Sequence, residues 1–212
     1  MRAHISRMKN KRSRPAPRRQ PRQRRAQQTV EVVLDAVVEV LKRDGVTAVT
    51  TNRIAEVAGV SIGSVYQYFP DKRAIFMALH ARHVDQIGRL VESTLVRHAS
   101  SSLETSIRAV VEAMVDAHTT DPELYELLHA EVPHRAGGAR NFEGRLRGAL
   151  RLAVASRADE LKSPRDIERV LFVLTHMVES LSHAAAIRRP PRLSLVAAKE
   201  EAVRAVLAYL RA

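Results

Sequence analysis

A chain of 212 residues carrying 35 Lys and Arg against 23 Asp and Glu, for a net charge of +12, is long enough for one or two domains with a sizeable core. It has no cysteine, which excludes a disulfide framework, thiolate metal sites and cysteine catalysis. No uninterrupted apolar run approaches the roughly 18 residues of a membrane span, and the first residues lack the apolar block of a signal peptide, so a cytoplasmic location without membrane association is expected.

The charge is concentrated at the start. Residues 1–25 hold 11 of the 35 Lys and Arg and no acid, since the first carboxylate is Glu31, and the rest of the chain carries only +1. A block of like charge with Pro15, Pro17 and Pro21 and few apolar residues cannot bury enough surface to fold alone, so a disordered basic arm is predicted over 1–25. Such an arm is attracted to polyanions, and it equally fits a solubilising tail. Folding signals begin near Arg25. Val30, Val33, Leu34, Val37, Val40 and Leu41 recur at helical spacing, Lys42 and Arg43 suit the negative end of the helix dipole, and Gly45 is placed to end the helix.

After a short linker, Thr50 to Lys72 reads TTNRIAEVAGVSIGSVYQYFPDK. Thr50 is a good N-cap for a helix whose Ile54, Ala55 and Ala58 point inward. Gly59 suits the positive φ of a sharp interhelical turn, and Ser61 caps a second helix of up to two turns. There Val65 and Phe69 face the core, whereas Tyr66, Gln67 and Tyr68 are expected to reach outward. Hydroxyl and amide groups exposed on a short helix suit phosphates and base edges, as in the second helix of a helix-turn-helix. Tyr66 also fits a core tyrosine with its oxygen exposed, and Arg53 a solvated helix residue.

Gly45, Thr50-Thr51, Ile54-Ala55, Ala58-Gly59-Val60-Ser61, Gly63, Tyr66, Phe69 and Lys72 together make this stretch resemble the N-terminal pattern of the TetR family of transcriptional regulators, across about residues 28–80. The resemblance implies a three-helix DNA-binding domain, here 26–72, and an all-helical effector-binding and dimerisation domain, here 73–212. By the same resemblance Thr51 and Arg53 contact the DNA backbone, with Arg53 also near a base. Ile62, Gly63, Ser64, Tyr66, Gln67 and Tyr68 form the recognition surface, and Lys72 clamps a phosphate. The family often has a Lys where this chain has Ile62, which replaces a charge by an apolar contact.

Asp71 can cap the next helix, which Ile75, Phe76, Leu79, Ile87, Leu90, Val91 and Leu95 carry to about His98. Leu103 to Val115 form another stripe, ending around His118. Asp121-Pro122-Glu123 is a helix-start signal, with Asp121 as the capping side chain. Residues 133–140, with Gly137-Gly138, read as a flexible loop. Phe142, Leu146, Leu150 and Val154 mark a further helix. Ser163-Pro164 opens one apolar over much of its circumference, and Ser194 caps the last, which carries Val203, Val206, Leu207 and Leu210. The fold class is therefore all-α, with about nine helices.

Met114, Tyr125, Phe142 and Phe172 sit on apolar stripes and are core by default. Together with His118 and His176 they also form a candidate pocket for a small lipophilic effector. His176, Glu179 and His183 share a helix face, but three residues on one helix do not close a metal site, and no metal or cofactor is expected. No catalytic set stands out, so an enzyme is not expected. The resulting expectation is a homodimeric regulator, a repressor on a palindromic double-stranded DNA operator. The rival reading is a helical protein that binds RNA or acidic partners through its basic arm.

Overall fold

A computed structural model describes residues 19–132, 137–157 and 166–212. Among them are nine α-helices and no strand: α1 (Arg19–Asp44), α2 (Thr51–Val57), α3 (Ile62–Tyr68), α4 (Lys72–Arg97), α5 (Leu103–Thr120), α6 (Pro122–Glu131), α7 (Gly137–Ala155), α8 (Ile167–Ile187) and α9 (Leu195–Arg211).

Several helix starts are fixed by local chemistry. Thr50, Ser61, Asp71, Ser102 and Ser194 each accept a hydrogen bond from the backbone N–H three residues on, at 2.7–3.2 Å. Each such cap is worth about 1 kcal/mol. Asp121 departs from this pattern. It precedes Pro122 as expected but makes no cap bond, because its carboxylate is drawn to Lys42 Nζ at 2.8 Å.

Helix α1 begins at Arg19, inside the segment expected to be a disordered arm. Pro21 is no obstacle there, because a first-turn N–H has no intrahelical partner to lose. The rest of that arm, residues 1–18, lies outside the described residues. The loop expected over 133–140 is also shorter, since α7 starts at Gly137; residues 133–136, and the Ser163-Pro164 start of the α8 region, lie outside the described residues. Asp166 caps α8, accepting from Glu168 N at 2.9 Å.

The buried apolar side chains form two clusters. In the first, Val33, Val37, Val40 and Leu41 of α1 pack with Ile54, Val65, Phe69 and the opening residues of α4, Ile75, Phe76 and Leu79. This core passes the boundary expected at residue 72, because α4 is one continuous helix of 26 residues, about 39 Å long. The C-terminal half of α4 (Ile87, Val91, Leu95) enters the second cluster with α5, α7, α8 and α9. Helix α6 belongs to the first cluster through Leu124, Leu127 and Leu128, although it follows α5 in sequence.

Helix α8 is 21 residues long and, although charged residues interrupt its apolar run, apolar enough to cross a membrane by length and composition. In this fold it packs against α5, α7 and α9. Where α4 gives way to α5 lies Arg157, 7% exposed, which donates to the carbonyls of His98 (2.9 Å), Ala99 (2.8 Å), Ser101 (2.8 Å) and Ala153 (2.9 Å). It thereby satisfies the carbonyls of Ala99 and Ser101 beyond the end of α4 and shares that of His98 with Ser101 N and Ser106 Oγ.

Candidate nucleic-acid interface and interhelical cavity

The chain leaves α1 through Gly45 (φ 81°) and makes one short 3-10 turn, Val46–Ala48, before Thr50 opens α2. At the end of α2 Gly59 adopts φ 65°, the left-handed conformation the turn requires. Val60 N donates to Ala55 O at 3.1 Å, closing the α2 end, and Ser61 starts α3.

Helix α3 is anchored from within by Val65 (0% exposed) and by Phe69 just beyond its end (5%). Its outer side carries Ile62 (38% exposed), Tyr66 (52%), Gly63 and Gln67. Ile62 and Tyr66 are four apart, so they share one ridge. Ser64 is half-buried, with its hydroxyl 2.8 Å from that of Ser61. Tyr68 is half-buried, less exposed than Tyr66 and Gln67, and part of it packs against the first core. The last turn of a seven-residue helix beside Phe69 has little face left to give to solvent.

Helix α3 holds no charged residue. The charges flank it. Arg53 is held by Asp44, through Nε and Nη2 at 3.0 Å each, and by Glu56 through Nη1 at 2.7 Å. Arg43 and Arg53 beside Asp44 keep its carboxyl below the usual carboxylate range. Thr51 is half-buried at the start of α2. Lys72 opens α4 with its ammonium 5.1 Å from the centre of the Phe76 ring, a cation–π placement. The exposed Arg24 and Arg25 continue the basic character along α1.

The second feature is a cavity of ≈ 400 Å³ among α4, α5, α6 and α8. Met114, His118 and Tyr125, three of the candidate pocket residues, line it. Phe172 and His176 do not. They pack on each other, ring centres 4.5 Å apart, and Phe172 is 59% exposed on the outer side of α8. An apolar periodicity spread around α8 does not indicate which residues face inward. The side chain of Phe142 lies outside the described residues.

His80, His83 and Arg188 also line the cavity without having stood out in the sequence, and Glu179 and His183, which share a helix face with His176 that closes no metal site, join them there. The i, i+3 spacing of His80 and His83, with Ile87 one turn on, is the signal that marks this face of α4. His118 Nδ1 donates to Met114 O at 2.6 Å, which leaves Nε2 as an acceptor, and burial pushes the His118 pKa down. The Tyr125 ring lies edge-on to His118 at 4.4 Å and 5.1 Å from His183. Burial, reinforced by the Glu179 charge and partly offset by that of Arg188, pushes the Tyr125 hydroxyl up to about 12.

Residues 33–79 match the family described as bacterial regulatory proteins, tetR family, and residues 102–210 match a Tetracyclin repressor-like C-terminal domain. A nucleoid occlusion factor, SlmA of Haemophilus ducreyi, is 28% identical over 138 residues, covering 65% of this chain and 61% of its own. The chain thus spans less than two thirds of that relative, and about half of several others. Among solved structures, a TetR-family transcriptional regulator from Streptomyces coelicolor superposes with a TM-score of 0.60 at 23% identity, covering 86% of this chain and 99% of its own. FadR of Bacillus subtilis, solved in complex with stearoyl-CoA, gives 0.62 at 17% identity, covering 85% and 99%. At these identities the structural likeness concerns the fold.

Proposed function

This chain belongs to the TetR family of transcriptional regulators, and on that premise we propose that it is a ligand-responsive repressor that binds a palindromic operator as a homodimer. The observation that carries the reading is the division of α3: Val65 and neighbouring Phe69 are buried, while Ile62, Tyr66 and Gln67 stand exposed on its other side. A neutral face of this kind reads base edges and thymine methyl groups, while Thr51, Arg53 and Lys72 contact phosphates around it.

The dimer would form through the outer faces of α8 and α9, where Phe172 (59% exposed) and Val196 (71%) leave large apolar side chains in solvent. Two recognition helices must then meet half-sites about 34 Å apart, so a small pivot between the domains removes operator affinity. Helix α6 supports the coupling. Leu128 belongs to the DNA-binding core and also lines the cavity, and Asp121 at the helix start bridges to Lys42 of α1. An effector that displaces α6 therefore acts on both.

Nuclease footprinting of the full chain on genomic DNA, with the protein stoichiometry measured on the protected fragment, tests this reading. Two protomers on a two-fold-symmetric site are expected; one protomer on an asymmetric site would contradict it.

A further inference from the structure

The cavity among α4, α5, α6 and α8 differs from a lipid tunnel in what faces it. Its wall is apolar at Ile87, Met114, Leu128 and Val132, yet imidazole, phenol, carboxylate and guanidinium groups complete the lining. We propose that its effector is a small aromatic carboxylate of one or two fused rings, the ring lying against His118, Tyr125 and His183 and the carboxylate held by Arg188. The inference rests on reading the cavity as the effector site.

Three observations carry it. First, the rings of His83, His118, Tyr125 and His183 stand 4.4–6.3 Å apart between centres in the pairs His118–Tyr125, Tyr125–His183, His83–Tyr125 and His83–His118, mostly edge-to-face. Such a wall offers both faces and edges to another planar ring at the same spacing.

Second, Arg188 lines the cavity at the exposed C-terminal end of α8, near enough to Tyr125 for its charge to act on the phenol. A guanidinium fork there matches a carboxylate through two parallel N–H bonds, while the ring of the same ligand reaches the aromatic wall. Third, the cavity's own carboxylate, Glu179, and the guanidinium of Arg188 come from different turns, Glu179 within α8 and Arg188 at its C-cap nine residues later, so the lining offers a cationic group at one end of the helix.

A long acyl chain fits less well. Its methylenes have no planar face or edge to set against the rings of His118, Tyr125 and His183. The volume of ≈ 400 Å³ is also near the lower end for ligand sites.

Calorimetric titration of the full chain tests the assignment, with 4-hydroxybenzoate, indole-3-carboxylate, their methyl esters, benzylamine and stearate as probes. The acids should bind at least about tenfold more tightly than their esters, and Arg188→Gln should erase that preference while leaving ester binding unchanged. Tyr125→Phe keeps the ring and should retain the acid preference. Binding of stearate or benzylamine in place of the acids, equal binding of acid and ester, or no binding at all would overturn the proposal. Acids that bind with the expected preference but leave DNA affinity unchanged would uphold the ligand class and defeat the ligand-responsive reading instead.

Discussion

Arg53 of α2 and Asp44, the last residue of α1, are joined by a hydrogen bond from Nε and an ion-pair contact from Nη2, each 3.0 Å to the same carboxylate oxygen. With Glu56 on its third nitrogen, Arg53 stands beside the recognition helix already paired. For it to reach DNA, phosphate must replace those carboxylates, an exchange of one solvated ion pair for another.

Arg53→Gln should therefore weaken DNA binding and reduce the slope of log K against log salt by about 1, because one released counterion disappears. Binding measured across a salt series checks this. An unchanged slope would assign Arg53 to the α1–α2 contact alone.

The helix-turn-helix was legible because its determinants are local. Thr50, Ser61 and Asp71 each bond an N–H three residues away, Gly59 supplies the positive φ, and Val65 and Phe69 face inward. What stayed hidden depends on distant partners. Asp121 does not cap α6 because Lys42, far earlier in the chain, takes its carboxylate. Tyr68 is held against the first core, and Phe172 with His176 faces out from α8, because packing chooses among faces that periodicity leaves equivalent. The cavity draws residues from four helices, and no spacing within one helix indicates such a meeting.

Burial lowers the pKa of His118, whose ring faces His83 of α4, Tyr125 of α6 and His183 of α8, with Glu179 on the same cavity wall. Above about pH 6.5 the imidazole is neutral whether folded or unfolded, and the full stability is present. As the pH falls below that value the unfolded chain takes up a proton that the folded chain resists. Stability then declines by up to about 1.4 kcal/mol per pH unit until the folded pKa is reached. Urea unfolding between about pH 7 and 5 should show a shallower decline in His118→Gln; the same decline in both proteins would contradict the assignment.

Arg157 satisfies carbonyls of residues 98, 99 and 101 from beyond the end of α7. Arg157→Met keeps the bulk but removes the donors, so unfolding should become easier by about 2 kcal/mol or more. Denaturant melts check the value. A change within about 0.5 kcal/mol would mean that water replaces the guanidinium.

Tyr66 and Gln67 are exposed, so replacing both by Ala should leave thermal stability nearly unchanged, whereas Phe69→Ala should cost about 3–5 kcal/mol. Thermal melts of the two variants separate the outer face of α3 from its anchor. A large loss in the Tyr66→Ala/Gln67→Ala variant would mean that this face supports the fold.

Selection of bound duplexes from a random pool, run in parallel on the full chain and on its Tyr66→Ala/Gln67→Ala variant, is the most direct measurement of whether α3 reads DNA. The full chain should enrich a two-fold-symmetric sequence with half-sites about one helical turn or a multiple apart, and the variant should enrich none. Enrichment of the same sequence by both proteins, or of an asymmetric one by the full chain, would contradict the account.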